Sequence, residues 1–416
     1  MTDLIQALKT PVADPGTGQV VTGGAVSRVD GRAKVTGDAR YAAEYAAPDQ
    51  LYGVVVSGSI AKGRILDIDI EQAMALDGVV EVLSHLNRPK VRSFDIAYKD
   101  MTAPAGSPFR PFYDDQVLYS GQPLALVLAE SFEAARRAAA LVRIRYEEEE
   151  HDTRLAANLA RAYTPRPLKA GYEPPPKEKG DAEKAFEAAP VKIEAAFHHG
   201  VEHHNPLELF ASTVIYEEDG HLTIYDKTQS SQNSRWYVSH VFGLSKDKVT
   251  VRNPYVGGAF GSGLRPQYQL TLAVMAALHL KRSVRVTLTR QQMFSFGHRP
   301  ETLQWVKLSA DRDGTLQSIQ HEAVAETSQI EDYVEVVVNW SGLLYQCDNI
   351  KLGYKLVSLD QYTPIDMRAP GAAHGMHALE IAMDELSYEL KMDPLTLRLK
   401  NYAERSPADD KPYSSK

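Results

Sequence analysis

Cysteine is nearly missing from this sequence: Cys347 is the single one in 416 residues. One thiol closes no disulfide within the chain. Nor can it hold an iron–sulfur cluster, which takes about four cysteines. By type it is a small, half-buried apolar side chain. Long apolar runs are missing too, with nothing near the ~18 consecutive apolar residues of a membrane-spanning helix. Positive charge is not in excess: 46 lysines and arginines face 54 acids, for a net charge of −8 and an isoelectric point near 5.9. A nucleic-acid reader normally shows a basic face, so that class is disfavoured. Met1 to Gly24 is polar and broken by Pro11 and Pro15, without the charged-then-apolar order of a secretory signal. Residues 1–30 read as a loose arm, and the chain as cytoplasmic, or periplasmic if exported with a partner that carries the signal.

What is present is ordinary globular material, 44% hydrophobic and 24% charged, enough for two or three domains of about 100–200 residues. The pattern is mixed α/β. Over 31–150, LYGVVVS at 51–57, GVVEVL at 78–83 and LALVLA at 124–129 read as strands. An alanine-rich helix over 131–142 follows, and then a strand over 142–146. Strand, helix, strand at this spacing is a compact βαβ signature. Residues 151–190, with Pro174–Pro176 and dense charge, read as a linker that runs extended. From 191 to 416 a second unit is expected. Its hairpins turn at Asp219-Gly220 and Asp313-Gly314. Its helices lie over 233–242, 267–280 and 377–390, the last stopped by Pro394.

Three stretches carry candidate chemistry. Gly257-Gly258-Ala259-Phe260-Gly261-Ser262-Gly263 follows a strand and precedes a helix. Its glycines free the backbone for positive φ and close approach to a ligand, and bare N–H groups at a helix start favour an anion. The alternative is a tight turn that only packs helix on sheet. The order fits neither the dinucleotide-binding Gly-x-Gly-x-x-Gly pattern nor a P-loop. Glu202-His203-His204-Asn205-Pro206-Leu207-Glu208 invites a metal reading. On a strand, however, adjacent histidines point to opposite faces, which leaves a polar wall facing a cofactor or structural histidines. Asp366-Met367-Arg368-Ala369-Pro370-Gly371 offers a fixed loop and an arginine able to fork two hydrogen bonds to an anion, or else a helix-entry turn with a surface arginine.

Taken together, these stretches resemble a known family. Gly121-Gln122-Pro123 through Ser131, with Arg145-Tyr146-Glu147, is similar to the α/β hammerhead domain of xanthine dehydrogenases and aldehyde oxidases. The Glu202–Glu208 stretch, Thr228-Gln229, Val256–Gly261 and Met367–Gly371 resemble, in order, motifs of that family's first molybdenum-cofactor-binding domain. The resemblance runs from about Gly31 to Tyr402, and in pattern it points to the bacterial three-subunit aldehyde oxidoreductases.

The resemblance implies a hammerhead domain followed by the first cofactor-binding domain. The cofactor would be a molybdenum-pterin (molybdopterin), in a form that includes the cytosine dinucleotide as one option. It implies that Gly258, Ala259, Phe260 and Gly261 lie against the cofactor, and that Arg368 and Ala369 touch it. Glu202 stands where many relatives have a cofactor-bonding glutamine, a departure because an ionised carboxylate only accepts. Leu264, Gly342 and Pro370 would line the substrate pocket. Leu264 and Gly342 replace the acid and arginine of purine-hydroxylating members, which points to aldehydes or N-heteroaromatics. No residue of this chain would bind the metal directly, and none is a candidate catalytic residue. The base glutamate of the family, in a Gly-x-Gly-Glu context, is expected in a C-terminal half that makes this chain a fragment, a truncated product or half of a split subunit. Implied partners are that half, a [2Fe–2S] subunit and an FAD subunit. The competing class is a non-catalytic remnant that serves only as an assembly surface.

Overall fold

The computed structural model describes residues 12–13, 20–22, 27–91, 110–165, 174–407 and 410–413. The chain forms two compact units, residues 1–40 and 41–416. In the first, β1 (Val12–Ala13) pairs antiparallel with β2 (Val20–Thr22), and α1 (Gly31–Thr36) ends at Gly37 in the left-handed conformation. The expected loose arm therefore contains short regular pieces. The rest of its first 26 residues lies outside the described residues.

In the second unit the strands are β3 (Leu51–Ser57), β4 (Gly63–Asp69), β5 (Val79–Ser84), β6 (Gln116–Val117), β7 (Pro123–Ala129) and β8 (Arg143–Glu148). After them come β9 (Val191–His199), β10 (Ala211–Tyr216), β11 (Leu222–Asp226), β12 (Val249–Arg252), β13 (Val284–Thr287), β14 (Thr302–Ala310), β15 (Leu316–Ser328) and β16 (Ile350–Leu359). A seven-stranded sheet runs β12-β11-β10-β13-β3-β7-β5, a four-stranded one β16-β15-β14-β9, and a three-stranded one β6-β4-β8.

Each placement follows from the residues. β7 (PLALVLA) is buried at every position because it lies between β3 and β5 with both faces covered. The hairpins β10–β11 and β14–β15 turn at the two Asp-Gly pairs, where Gly220 and Gly314 take positive φ. Besides α2 (Glu71–Met74), the helices are α3 (Phe132–Ala139), α4 (Ala182–Ala188), α5 (Ser231–Phe242), α6 (Tyr268–Leu280), α7 (Arg290–Met293), α8 (Ala372–Leu390) and α9 (Pro394–Lys400). α6 is buried over most of its length against β10 and β13, and α8 packs on β9 and β14.

The structure corrects the sequence reading in several places. β3, β7 and β5, from the first segment, continue the sheet of the second: β13 runs parallel to β3, with Val284 opposite Leu51 and Val286 opposite Gly53. The βαβ segment thus does not close on itself. Residues 151–190 are not uniformly an extended linker. Residues 156–161 form a 3-10 helix, Tyr163 and Lys179 bridge to Leu356 and Ile350, and α4 packs on β15. Ala182 and Phe186, four apart behind the Asp181 cap, supply the buried face of α4. β4, not anticipated, is a half-exposed strand with charges on its open side. α8 starts at Ala372, five residues before the expected start. Among the described residues no helix is long and apolar enough to cross a membrane.

Candidate functional site

β12 ends at Arg252, and Asn253-Pro254 lead into the glycine stretch. The turn at 260–263 closes this stretch, and the helix expected over 267–280 follows as α6 from Tyr268, so the glycines precede that helix without forming its first turn. Gly258 (φ +89°), Phe260 (+57°) and Gly261 (+110°) hold the backbone out of the helical region, and Pro266 restricts the residue before it.

The loop is held from inside by side chains of distant elements. Glu208 Oε2 accepts the Gly257 amide at 2.7 Å. Gln229 Oε1 accepts the amides of Gly261 at 2.9 Å and Gly263 at 3.2 Å, while the Gln229 backbone N–H donates to Gly263 O. Lys227 Nζ donates to Ser262 Oγ at 2.9 Å, and that hydroxyl donates to Ala259 O at 2.8 Å. Lys227 is only 1% exposed. Burial pulls its pKa down to about 8, against the opposing pull of Glu208 and Asp226. Burial likewise pushes the Glu208 carboxyl above its usual range.

The segment 366–371 lies directly on this loop. Arg368 N donates to Phe260 O at 2.8 Å, and a Cβ on Gly261 would collide with Asp366 O. His204 Nε2 contacts Asp366 O at 2.7 Å, and burial holds its imidazole near pKa 4, so it is neutral at pH 7. Arg299, 4% exposed, reaches Arg368 O at 2.8 Å and Ala369 O at 3.4 Å, and its Nε meets Glu202 Oε2 at 2.6 Å. Gly371 takes φ +69°, and its amide donates to Glu335 Oε2 at 2.6 Å. Glu335 is buried, which raises its pKa to about 7.

The sequence-predicted residues divide accordingly. Gly258 to Gly261, Arg368 and Ala369 come together, and Glu202 joins them through Arg299. Leu264 N donates to Gly261 O, so Leu264 sits at the loop, and Pro370 is exposed on the facing segment. Gly342 does not line an open pocket. It is buried in a 3-10 turn, where a Cβ would face Leu352 and Pro176. His203 lies against Phe294 and His298. Sequence reasoning missed Lys227, Arg299 and Glu335, and it named Glu208 only as part of the Glu202–Glu208 stretch, without its hold on the loop. Arg299 is 97 residues from Glu202, and only the fold brings the two together.

The arrangement suits an electron-rich ligand. Among the described residues the amides of Gly258, Ala259 and Phe260 have no acceptor, Phe260 is 45% exposed, and Arg368 to Pro370 face outward beside them. A Cβ on Gly258 would touch the Phe260 ring and Pro206 Cβ at 3.4 Å, so any larger side chain would fill the space beside that exposed ring.

Comparison with known proteins decides the family. Residues 169–402 match the molybdopterin cofactor-binding domain, and residues 36–150 match the aldehyde oxidase and xanthine dehydrogenase a/b hammerhead domain. The chain belongs to this molybdopterin-binding family. It is 35% identical to the aldehyde oxidoreductase molybdenum-binding subunit PaoC of Escherichia coli K12, over 94% of this chain and 51% of that one. It is 27% identical to the nicotinate dehydrogenase large molybdopterin subunit of Eubacterium barkeri, over 90% of this chain and 87% of that one. Aldehyde oxidoreductase from Desulfovibrio gigas superposes with a TM-score of 0.77 at 28% identity, over 90% of this chain and 43% of that one. The chain spans about half the length of PaoC. Its mixed α/β architecture is the family's hammerhead plus cofactor-binding domain, and the glycine loop and Arg368 both lie within the matched cofactor-binding region.

Proposed function

We propose that this chain forms the first cofactor-binding face of a molybdenum hydroxylase that oxidises aldehydes or N-heteroaromatics, with water as the oxygen donor. The observation that carries the reading is the contact between the two segments: Arg368 N on Phe260 O, beside three loop amides with no protein acceptor among the described residues. When bound, the molybdenum-pterin cofactor supplies the two-electron oxidation. The chain's own part is to bind and orient. Gly258, Ala259 and Phe260 offer backbone donors to an electron-rich group. Glu208, Gln229 and Lys227 hold those donors in place from behind. Arg368 and Ala369 form the opposite edge. Leu264 and Pro370, apolar and next to the loop, suit a substrate without the acid and arginine contacts of a purine site.

The reading includes the second cofactor-binding half of such subunits, on this polypeptide or another, because relatives such as PaoC are about twice as long. It also includes a [2Fe–2S] subunit and an FAD subunit as electron acceptors, since one cysteine cannot hold a cluster. The cytosine dinucleotide form of the pterin and a cytoplasmic assembly belong to the same reading. The test is a dye-coupled assay of the 416-residue chain alone and of its complex with the remaining half. The chain alone is expected to be inactive, and the complex to give a higher kcat/KM for aromatic aldehydes than for xanthine. Turnover of benzaldehyde by the isolated chain, or a preference for xanthine in the complex, contradicts the proposal.

A further inference from the structure

We infer that Glu202 is a positioning residue that acts through Arg299. Together the pair fixes the Arg368–Ala369 backbone against the glycine loop. This rests on the reading above, in which that segment faces the cofactor, and it gives Glu202 a task different from direct contact with a bound group.

The geometry is a single fork with every arm assigned. Glu202 and Arg299 are first joined by a backbone bridge, Arg299 N to Glu202 O at 2.8 Å and Glu202 N to Arg299 O at 3.4 Å. From that fixed base the Arg299 side chain runs through the interior. Nε meets the Glu202 carboxylate at 2.6 Å, Nη2 donates to Arg368 O at 2.8 Å, and Nη1 reaches Ala369 O at 3.4 Å.

Both carbonyls belong to a segment in unusual conformation. Ala369 sits at φ +59° and Gly371 at φ +69°. An alanine seldom adopts the left-handed region, so the segment keeps this shape only if its surroundings hold it there. Arg299 grips it on one side, and Glu335 holds the Gly371 amide on the other.

A guanidinium that is 4% exposed also needs an anion in contact to offset its lost hydration. Glu335 feels the Arg299 charge but accepts its own hydrogen bonds from Gly371 N and Tyr333 OH, so it makes no direct bond to the guanidinium. Glu202 therefore supplies the charge-assisted bond that orients the fork. The carboxylate has a physical reason here: it faces the buried Arg299 cation.

The test compares Glu202→Ala, Glu202→Gln, Arg299→Lys and the double variant Glu202→Ala/Arg299→Lys in the molybdenum-loaded complex. Readouts are molybdenum per protein and hydrogen exchange of the Arg368 and Gly371 amides. Arg299→Lys keeps the charge and loses the fork. Glu202→Ala is expected to speed exchange at both amides and to lower bound molybdenum roughly tenfold, the scale of losing a supporting partner behind a bound metal group. Glu202→Gln, which still accepts from Nε, should retain more molybdenum than Glu202→Ala. The double variant should be no worse than Arg299→Lys alone.

Additive losses in the double variant, equal losses in the alanine and glutamine variants, or unchanged exchange in Glu202→Ala would each overturn the inference. Faster exchange with bound molybdenum unchanged would uphold the positioning role and count instead against the cofactor reading on which it rests.

Discussion

The chemistry of this chain rests on side chains whose surroundings change their ordinary behaviour, and Lys227 is the clearest case. Its ammonium is buried beneath the glycine loop and reaches Ala259 O through Ser262 Oγ. Folded, it gives up its proton near pH 8, whereas its ordinary value is 10.5. Between those values the unfolded chain binds more protons than the folded one, so stability rises with pH over that window. Over the whole window the change is on the order of 3 kcal/mol. Urea unfolding of the wild type and of Lys227→Met, each near neutral pH and again about two pH units higher, should show the wild type gaining stability relative to the variant. Parallel behaviour of the two proteins would show that burial does not lower the pKa of this lysine. Lys227 was not legible in the sequence, because its neighbours Glu208 and Ser262 come from other parts of the chain. The positive φ at Gly258 and Gly261 was legible, because it marks a residue type by itself, whereas the contacts of Arg368 run through its backbone and not through the guanidinium its residue type suggests.

At the scale of elements, local signals located what local forces decide. The Asp-Gly hairpins and the apolar run of β7 stand where turn chemistry and two-sided burial put them. β4 escaped notice because its open side is charged, although it is the middle strand of a small three-stranded sheet. α4 escaped because its two buried residues lie in a proline- and charge-rich stretch that composition alone reads as linker. The largest departure is the sharing of one sheet by the hammerhead and cofactor-binding segments. β13 pairs with β3, and Gly53 fits only because it has no side chain: a Cβ there would be 2.8 Å from Val286 Cγ2 and 3.0 Å from Leu126 Cδ1. Gly53→Leu should therefore cost about 1–3 kcal/mol through overpacking. Calorimetry should show the whole chain melting earlier in a single transition. Two transitions, with only one displaced, would mean that the segments fold independently in spite of their common sheet.

At the scale of the whole molecule, the unit from Tyr41 onward arranges its sheets so that two loops from far apart in sequence meet backbone to backbone. Exposed apolar groups collect around that meeting point: Leu207 is 90% exposed and Phe260 45%, next to Arg368 to Pro370. The family's second half and its partner subunits are proposed to complete this face. The central claim is that the glycine loop is built for the cofactor and not merely for packing. The most direct test is molybdenum per folded protein in a complex carrying Gly258→Val, with a melting curve on the same sample. The added side chain crowds the Phe260 ring and Pro206 at φ +89°, for about 1–2 kcal/mol of backbone strain. The account predicts a clear fall in the metal-to-protein ratio while the chain stays folded. A ratio equal to wild type, with only the melting temperature lowered, would contradict it and leave the loop as a packing turn.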